Sequence, residues 1–91
     1  MPKKVVTIKN KLGLHARAAS QIVQLANKYA SEVMIHSNNM TANGKSVLGI
    51  LTLTASLGTE LIFEVNGDDA HELLNKLAEL INNKFGEDTE A

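Results

Sequence analysis

The sequence has no cysteine and no tryptophan, a single proline, and only three aromatic residues among 91. Without cysteine there is no disulfide framework and no thiolate metal site, and a reducing compartment suits the chain. With so few aromatics, the core must be built from Leu, Ile, Val and Ala. No run of about 18 apolar residues occurs, so no membrane-spanning helix is expected. The N-terminal stretch MPKKVVTIKNK lacks the apolar segment of a secretory signal, which points to a cytoplasmic protein. Neither sign of charge is in excess: nine basic residues face ten acidic ones, for a net charge of -1. A nucleic-acid binder of this size would carry a basic stripe, and Lys3-Lys4 is the only adjacent basic pair. No Walker-type glycine loop and no carboxylate cluster for Mg²⁺ is visible, so ATP chemistry is not expected of this chain alone.

What is present is enough for one compact domain, since 44% of residues are hydrophobic. Lys4 to Lys9 alternates with period two and reads as a strand, followed by the turn-prone Asn10-Lys11-Leu12-Gly13. From Ala16 to about Tyr29 the period changes. Ala19, Ile22, Val23 and Ala26 form a helical stripe opposite Arg17, Gln21, Gln24, Asn27 and Lys28. Glu32 to Ser37 is a second strand, with Val33 and Ile35 on one face and Met34 and His36 on the other. Asn38-Asn39 is a hairpin turn, and Met40 to Asn43 a short third strand. Ser46 is a favoured N-cap for a short helix to about Thr52, with Ile50 turned into the core. Gly58-Thr59 opens a fourth strand in which Leu61, Phe63 and Val65 alternate with Glu60, Ile62 and Glu64. A last helix follows Asn66-Gly67-Asp68, with Ala70, Leu74, Leu77, Ala78, Ile81 and Phe85 as its buried stripe. Fraying is expected over the last five or so residues of the acidic tail. The order β-α-β-β-α-β-α predicts an α+β single domain over residues 1–91, with helices on one face of an antiparallel sheet.

Chemistry concentrates in Gly13-Leu14-His15-Ala16-Arg17. Gly13 permits a tight backbone path. His15 falls at the entry of the first long helix. The N–H groups of the first turn, at Ala16 and Arg17, lack partners within the helix and lie at the positive end of its dipole. That end is an anion site. A phosphoryl group on His15 would carry roughly two negative charges. The helix end and the Arg17 guanidinium would both balance them. The same positive field favours the neutral imidazole, the nucleophilic form.

Gly13-Leu14-His15-Ala16-Arg17-Ala18-Ala19 resembles the active-site signature of HPr, the histidine-containing phosphocarrier family of the bacterial phosphoenolpyruvate-dependent sugar phosphotransferase system. Gly44-Lys45-Ser46-Val47-Leu48-Gly49-Ile50-Leu51 looks like that family's regulatory-serine region. The likeness runs from about Val5 to Phe85. It implies an open-faced β-sandwich, with four antiparallel strands and three helices on one side. It implies that enzyme I phosphorylates His15 on Nδ1, that Arg17 stabilises the phosphate, and that IIA domains receive it. It also implies that Ser46 is a target of an HPr kinase/phosphorylase. Ser20, Val47, Leu48 and Leu51 match a partner-docking surface, with Lys45 and Arg17 as its positive rim. The implied protein is a monomeric phosphoryl carrier, not an enzyme, with no cofactor and no metal.

One departure from the family pattern is plain: Ala18 stands where the family has proline. Alanine keeps the helix start and leaves one further N–H free. Two other readings stay open. Thr7-Ile8-Lys9-Asn10-Lys11-Leu12-Gly13 and Gly86-Glu87-Asp88 also resemble NPr, the nitrogen-related homologue, in which the same histidine chemistry serves signalling. A pure interaction module acting through Ser46-phosphate is the third, although family members of that kind lack the histidine. His36 and His71 read as solvated surface residues, too far apart to suggest a metal site.

Overall fold

The computed structural model describes residues 2–87. Strand β1 spans Lys3–Thr7, helix α1 Ala16–Ala26, β2 Glu32–Ser37, β3 Met40–Asn43, α2 Val47–Leu51, β4 Glu60–Asn66 and α3 Ala70–Asn82. A short 3₁₀ turn, Lys84–Gly86, follows.

The four strands form one antiparallel sheet in the order β1-β4-β2-β3. β4 lies between β1 and β2, so those two run parallel to each other with α1 as their crossover. β2 likewise lies between β3 and β4, with α2 in the connection. Each is a split β-α-β unit, and each needs a helix on the sheet to cross over. β2 and β3 are instead a direct hairpin, in register from Ser37↔Met40 to Met34↔Asn43. Asn38 and Asn39 hold its turn at φ of 50° and 69°, values that asparagine tolerates and tight hairpins require.

Alternation along the strands decides the two faces. Val6, Val33, Ile35, Ala42, Leu61, Phe63 and Val65 are buried, while Val5, Met34 and Ile62 on the opposite face are exposed. The helices cover the first face only, as the α+β expectation requires. α1 contributes Ala18, Ala19, Ile22 and Ala26, and α3 contributes Leu73, Leu74, Leu77, Ala78 and Ile81. Ile50 of α2 is fully buried.

The differences from the sequence reading lie at the element ends. β1 closes at Thr7 rather than Lys9, although Ile8 still exchanges hydrogen bonds with Thr59 and Gly58. α1 stops at Ala26, because Lys28 and Tyr29 donate three residues back, to Leu25 and Ala26, and tighten the last turn. Its buried stripe includes Ala18, and Val23 is only half-buried, a rotation set by packing on the sheet. β4 begins at Glu60, since Thr59 is tied into a turn with Ser56.

Phe85 reaches the core, but not as part of α3. Lys84 and Phe85 both adopt φ of 58°, which reverses the helical path after Asn83. The expectation of fraying falls largely on residues 88–91, which lie outside the described residues. Glu87, just before them, is hydrogen-bonded to Asn10 and His15.

Candidate functional site

The loop before α1 is held from two sides. Gly13 has φ of +68°, a left-handed conformation that other residues rarely adopt. A Cβ there would lie 2.5 Å from the Ala55 carbonyl oxygen and 2.9 Å from Ser56 Cα. The close approach exists because the Leu14 N–H donates to that same carbonyl at 2.9 Å. From the other side, the fully buried Asn10 donates its side-chain amide to the Gly13 carbonyl at 2.9 Å. The chain therefore enters α1 along one path.

His15 is the N-cap residue of α1, extended at φ -77° and ψ 177°. Its carbonyl accepts the first helical bond, from Ala19 N–H at 2.9 Å. Its side chain forms no cap hydrogen bond, and no acidic residue occupies the first turn. The N–H groups of Ala16 and Arg17 precede the first helical donor, Ala19 N–H, and so lack a partner within the helix, the arrangement that suits an anion. Arg17 is exposed at the same end. The sequence-derived pairing of His15, Ala16 and Arg17 thus corresponds to one helix terminus.

Sequence reasoning missed two members of the site. Glu87 is hydrogen-bonded through Oε2 to His15 Nε2, and Asn10 Nδ2 donates to its Oε1 at 3.0 Å. Burial pushes the Glu87 carboxyl up. Hydrogen bonds from His15 and Asn10, with the Arg17 charge nearby, outweigh that and hold it below the usual value. The site is therefore not purely positive, as the helix end and Arg17 alone had suggested. These partners lie 72 and 77 residues from Glu87 in sequence, so no local pattern signals them.

The remaining candidates sit on α1 and α2, which pack against each other. Ser20 is half-buried and accepts from Gln24 Nε2 at 3.3 Å. Ser46 caps α2 as anticipated, its hydroxyl accepting from Gly49 N–H at 3.0 Å. Leu48 stands 78% exposed, whereas Val47 and Leu51 are half-buried against the core. The apolar projection of α2 is thus centred on Leu48. Lys45 is not a free rim charge, because its ammonium donates to the Tyr29 carbonyl at 2.9 Å.

Among the histidines, His71 is exposed. His36 is held by Thr41 and Glu64 at 2.9 Å each, so it is a bound side chain on the open sheet face rather than a merely solvated one. A concavity of about 650 Å³ lies at that end of the sheet, lined by His36, Met40, Thr41 and Glu60, and it does not include His15. Nothing in its lining matches the anion chemistry of the α1 terminus. Among the described residues no helix is long and apolar enough to cross a membrane.

A split β-α-β sandwich with a histidine at the N-cap of its first helix is the frame of a small phosphocarrier domain. The comparisons with known proteins agree. The family model "PTS HPr component phosphorylation site" matches residues 2–83. The phosphocarrier protein HPr of Neisseria meningitidis serogroup B is 44% identical over 87 residues, covering 96% of this chain and 98% of that protein. HPr of Pseudomonas aeruginosa is 44% identical over 88 residues, with the same coverage. The crystal structure of HPr-C-His from Thermoanaerobacter tengcongensis superposes with a TM-score of 0.92 at 41% identity, covering 97% of this chain and 99% of that one. The chain belongs to the HPr family of phosphotransferase-system phosphocarriers. Such a protein carries phosphate between partners and is not itself the catalyst. The family implies partners of the phosphotransferase system such as enzyme I and IIA domains.

Proposed function

We propose that His15 accepts a phosphoryl group on Nδ1 from phosphorylated enzyme I and donates it to IIA domains during sugar uptake, with residues 1–91 acting as one monomeric cytoplasmic HPr domain. The observation that carries this reading is His15 at the N-cap of α1 with its ring unused for capping. The phosphoryl oxygens take the N–H groups of Ala16 and Arg17, and the Arg17 guanidinium supplies the countercharge. The donor and acceptor proteins provide the rest of the apparatus, since this chain has neither a nucleotide loop nor a metal cluster among its described residues.

Ser20, Val47, Leu48 and Leu51 form the docking surface, with the exposed Leu48 as its centre. Exposed apolar groups beside an active site suit a partner that buries them. Ser46 is the site at which an HPr kinase/phosphorylase would act. A phosphate there would place about two negative charges two residues from Leu48 and resist desolvation on docking.

The test is incubation with phosphoenolpyruvate and cognate enzyme I. An acid-labile phosphate should appear on His15 and be absent from His15→Ala. Label that persists in the variant overturns the assignment. Comparing sugar-system and nitrogen-system enzyme I as donors separates the sugar carrier from the NPr-type reading. Support for the sugar system comes from the HPr relatives named above.

A further inference from the structure

The contact between Glu87 and His15 has no counterpart in the sequence motif, yet it bears on which ring nitrogen can react. A neutral imidazole has one N–H and one lone pair, on different nitrogens. Glu87 is held ionised by its surroundings and can only accept. The proton in the bond between His15 Nε2 and Glu87 Oε2 therefore belongs to Nε2. That leaves the lone pair on Nδ1, which makes no capping hydrogen bond to α1.

The carboxylate is itself positioned. Its side chain is 9% exposed, and its second oxygen accepts from Asn10, a fully buried residue that also grips the Gly13 carbonyl. The reversal at Lys84 and Phe85, with Phe85 anchored in the core, delivers Glu87 to this place. One amide thus ties the loop before α1, the end of the chain's described part and the histidine ring into a single unit.

We propose that Glu87 is a positioning residue for phosphoryl transfer: it holds the Nε2–H tautomer of His15 and so presents Nδ1 as the nucleophile. This rests on His15 being the phosphoryl acceptor. In the forward step the Nδ1 lone pair forms the N–P bond, and the bond from phosphorus to the donor group breaks with its electron pair going to the donor. The Nε2 proton stays where it is. The phosphorylated ring is then cationic, and its charge faces the Glu87 carboxylate while the phosphoryl oxygens face Arg17 and the helix end. On donation to an acceptor the N–P bond breaks, its pair returns to Nδ1, and the neutral Nε2–H tautomer is restored. Neither direction requires a proton to move on His15. A carboxylate orienting a histidine through its far nitrogen is a general device for fixing tautomers.

Ring ¹⁵N spectra of the full-length protein near pH 8, above the ordinary histidine range of about 6.5, report the tautomer directly. The wild type should show Nε2 protonated and Nδ1 bare. In Glu87→Ala the ratio of the two tautomers should fall roughly tenfold, the effect of one charge-assisted hydrogen bond. Glu87→Gln keeps an acceptor oxygen and should fall less. Phosphoryl acceptance from phosphorylated enzyme I should slow in the same order. A wild-type ring with its proton on Nδ1, or a ratio unmoved in Glu87→Ala, overturns the proposal. A normal tautomer with no label on wild-type His15 overturns the acceptor reading instead, so the two failures are distinguishable.

Discussion

Gly13→Ala is the substitution that most directly probes how the fold builds the site. The new methyl meets two separate penalties. Gly13 sits at φ +68°, where an L-residue loses roughly 1–2 kcal/mol to the crowding of its Cβ. The methyl would also stand 2.5 Å from the Ala55 carbonyl oxygen and 2.9 Å from Ser56 Cα, both backbone atoms that cannot swing aside. Forcing them apart adds the overpacking cost of about 1–3 kcal/mol. The total is about 2–5 kcal/mol, or a melting temperature lower by at least about 8 °C in a domain this small. Gly58→Ala is the matched control. Gly58 also has positive φ, at +89°, but nothing lies within 4 Å of its added Cβ. It should lose only the conformational part, roughly 1–2 kcal/mol. Urea denaturation of both variants measures the difference. If Gly13→Ala loses no more than Gly58→Ala, the close approach of residues 55–56 to the loop before α1 is wrong.

Other outcomes are expected from the same structure. Ser46→Ala should lose about 1 kcal/mol through the missing cap on Gly49 N–H, read by denaturant melts, whereas Ser46→Asp should keep the cap and weaken enzyme I binding by calorimetry. Equal enzyme I affinity would remove Ser46 from partner control. Arg17→Ala should slow phosphoryl transfer while leaving the melting temperature within a few degrees, since Arg17 is exposed; unchanged transfer kinetics would remove it from the mechanism. Asp69 accepts from Ala30 N–H at 2.9 Å and Ser31 N–H at 3.1 Å. Its carboxyl is held below the usual value, chiefly by the Ser31 hydroxyl and then by the Ala30 N–H. A depressed carboxyl stabilises the fold while ionised, above about pH 4, and that contribution is lost as acid protonates it. Asp69→Asn should therefore be less stable than wild type at neutral pH, with the gap closing in acid. A gap that persists at low pH would mean that packing, not charge, is responsible.

Much of the fold was legible because it is local. The period-two runs of β2 and β3 end where the structure ends them, since Asn38-Asn39 and Asn43-Gly44 are chemically suited to turns. Ser46 as a cap was readable from residue type alone. His15 and Arg17 were readable as neighbours at a helix start, because two residues' spacing there is a local fact. Helix faces were less legible. Ala18 and Val23 both fit the α1 stripe, and only the sheet beneath decided that Ala18 is buried and Val23 half-buried. The same holds for Phe85, whose apolar character was plain but whose path into the core depends on a left-handed turn after Asn83.

The amino-acid sequence by itself determined the element order, the aliphatic core and the placement of a histidine at a helix entry, since hydrophobic period and capping chemistry act over a few residues. Only the tertiary structure decided the company His15 keeps. Glu87 meets it from the far end of the chain, and Asn10 holds the Glu87 carboxylate in place. That arrangement depends on Phe85 being buried in the core and on Asn10 spending its amide on Gly13 as well as on the carboxylate. Contacts closed across more than seventy residues leave no periodicity to read, because what enforces them is the packing of the whole core rather than the preference of any segment.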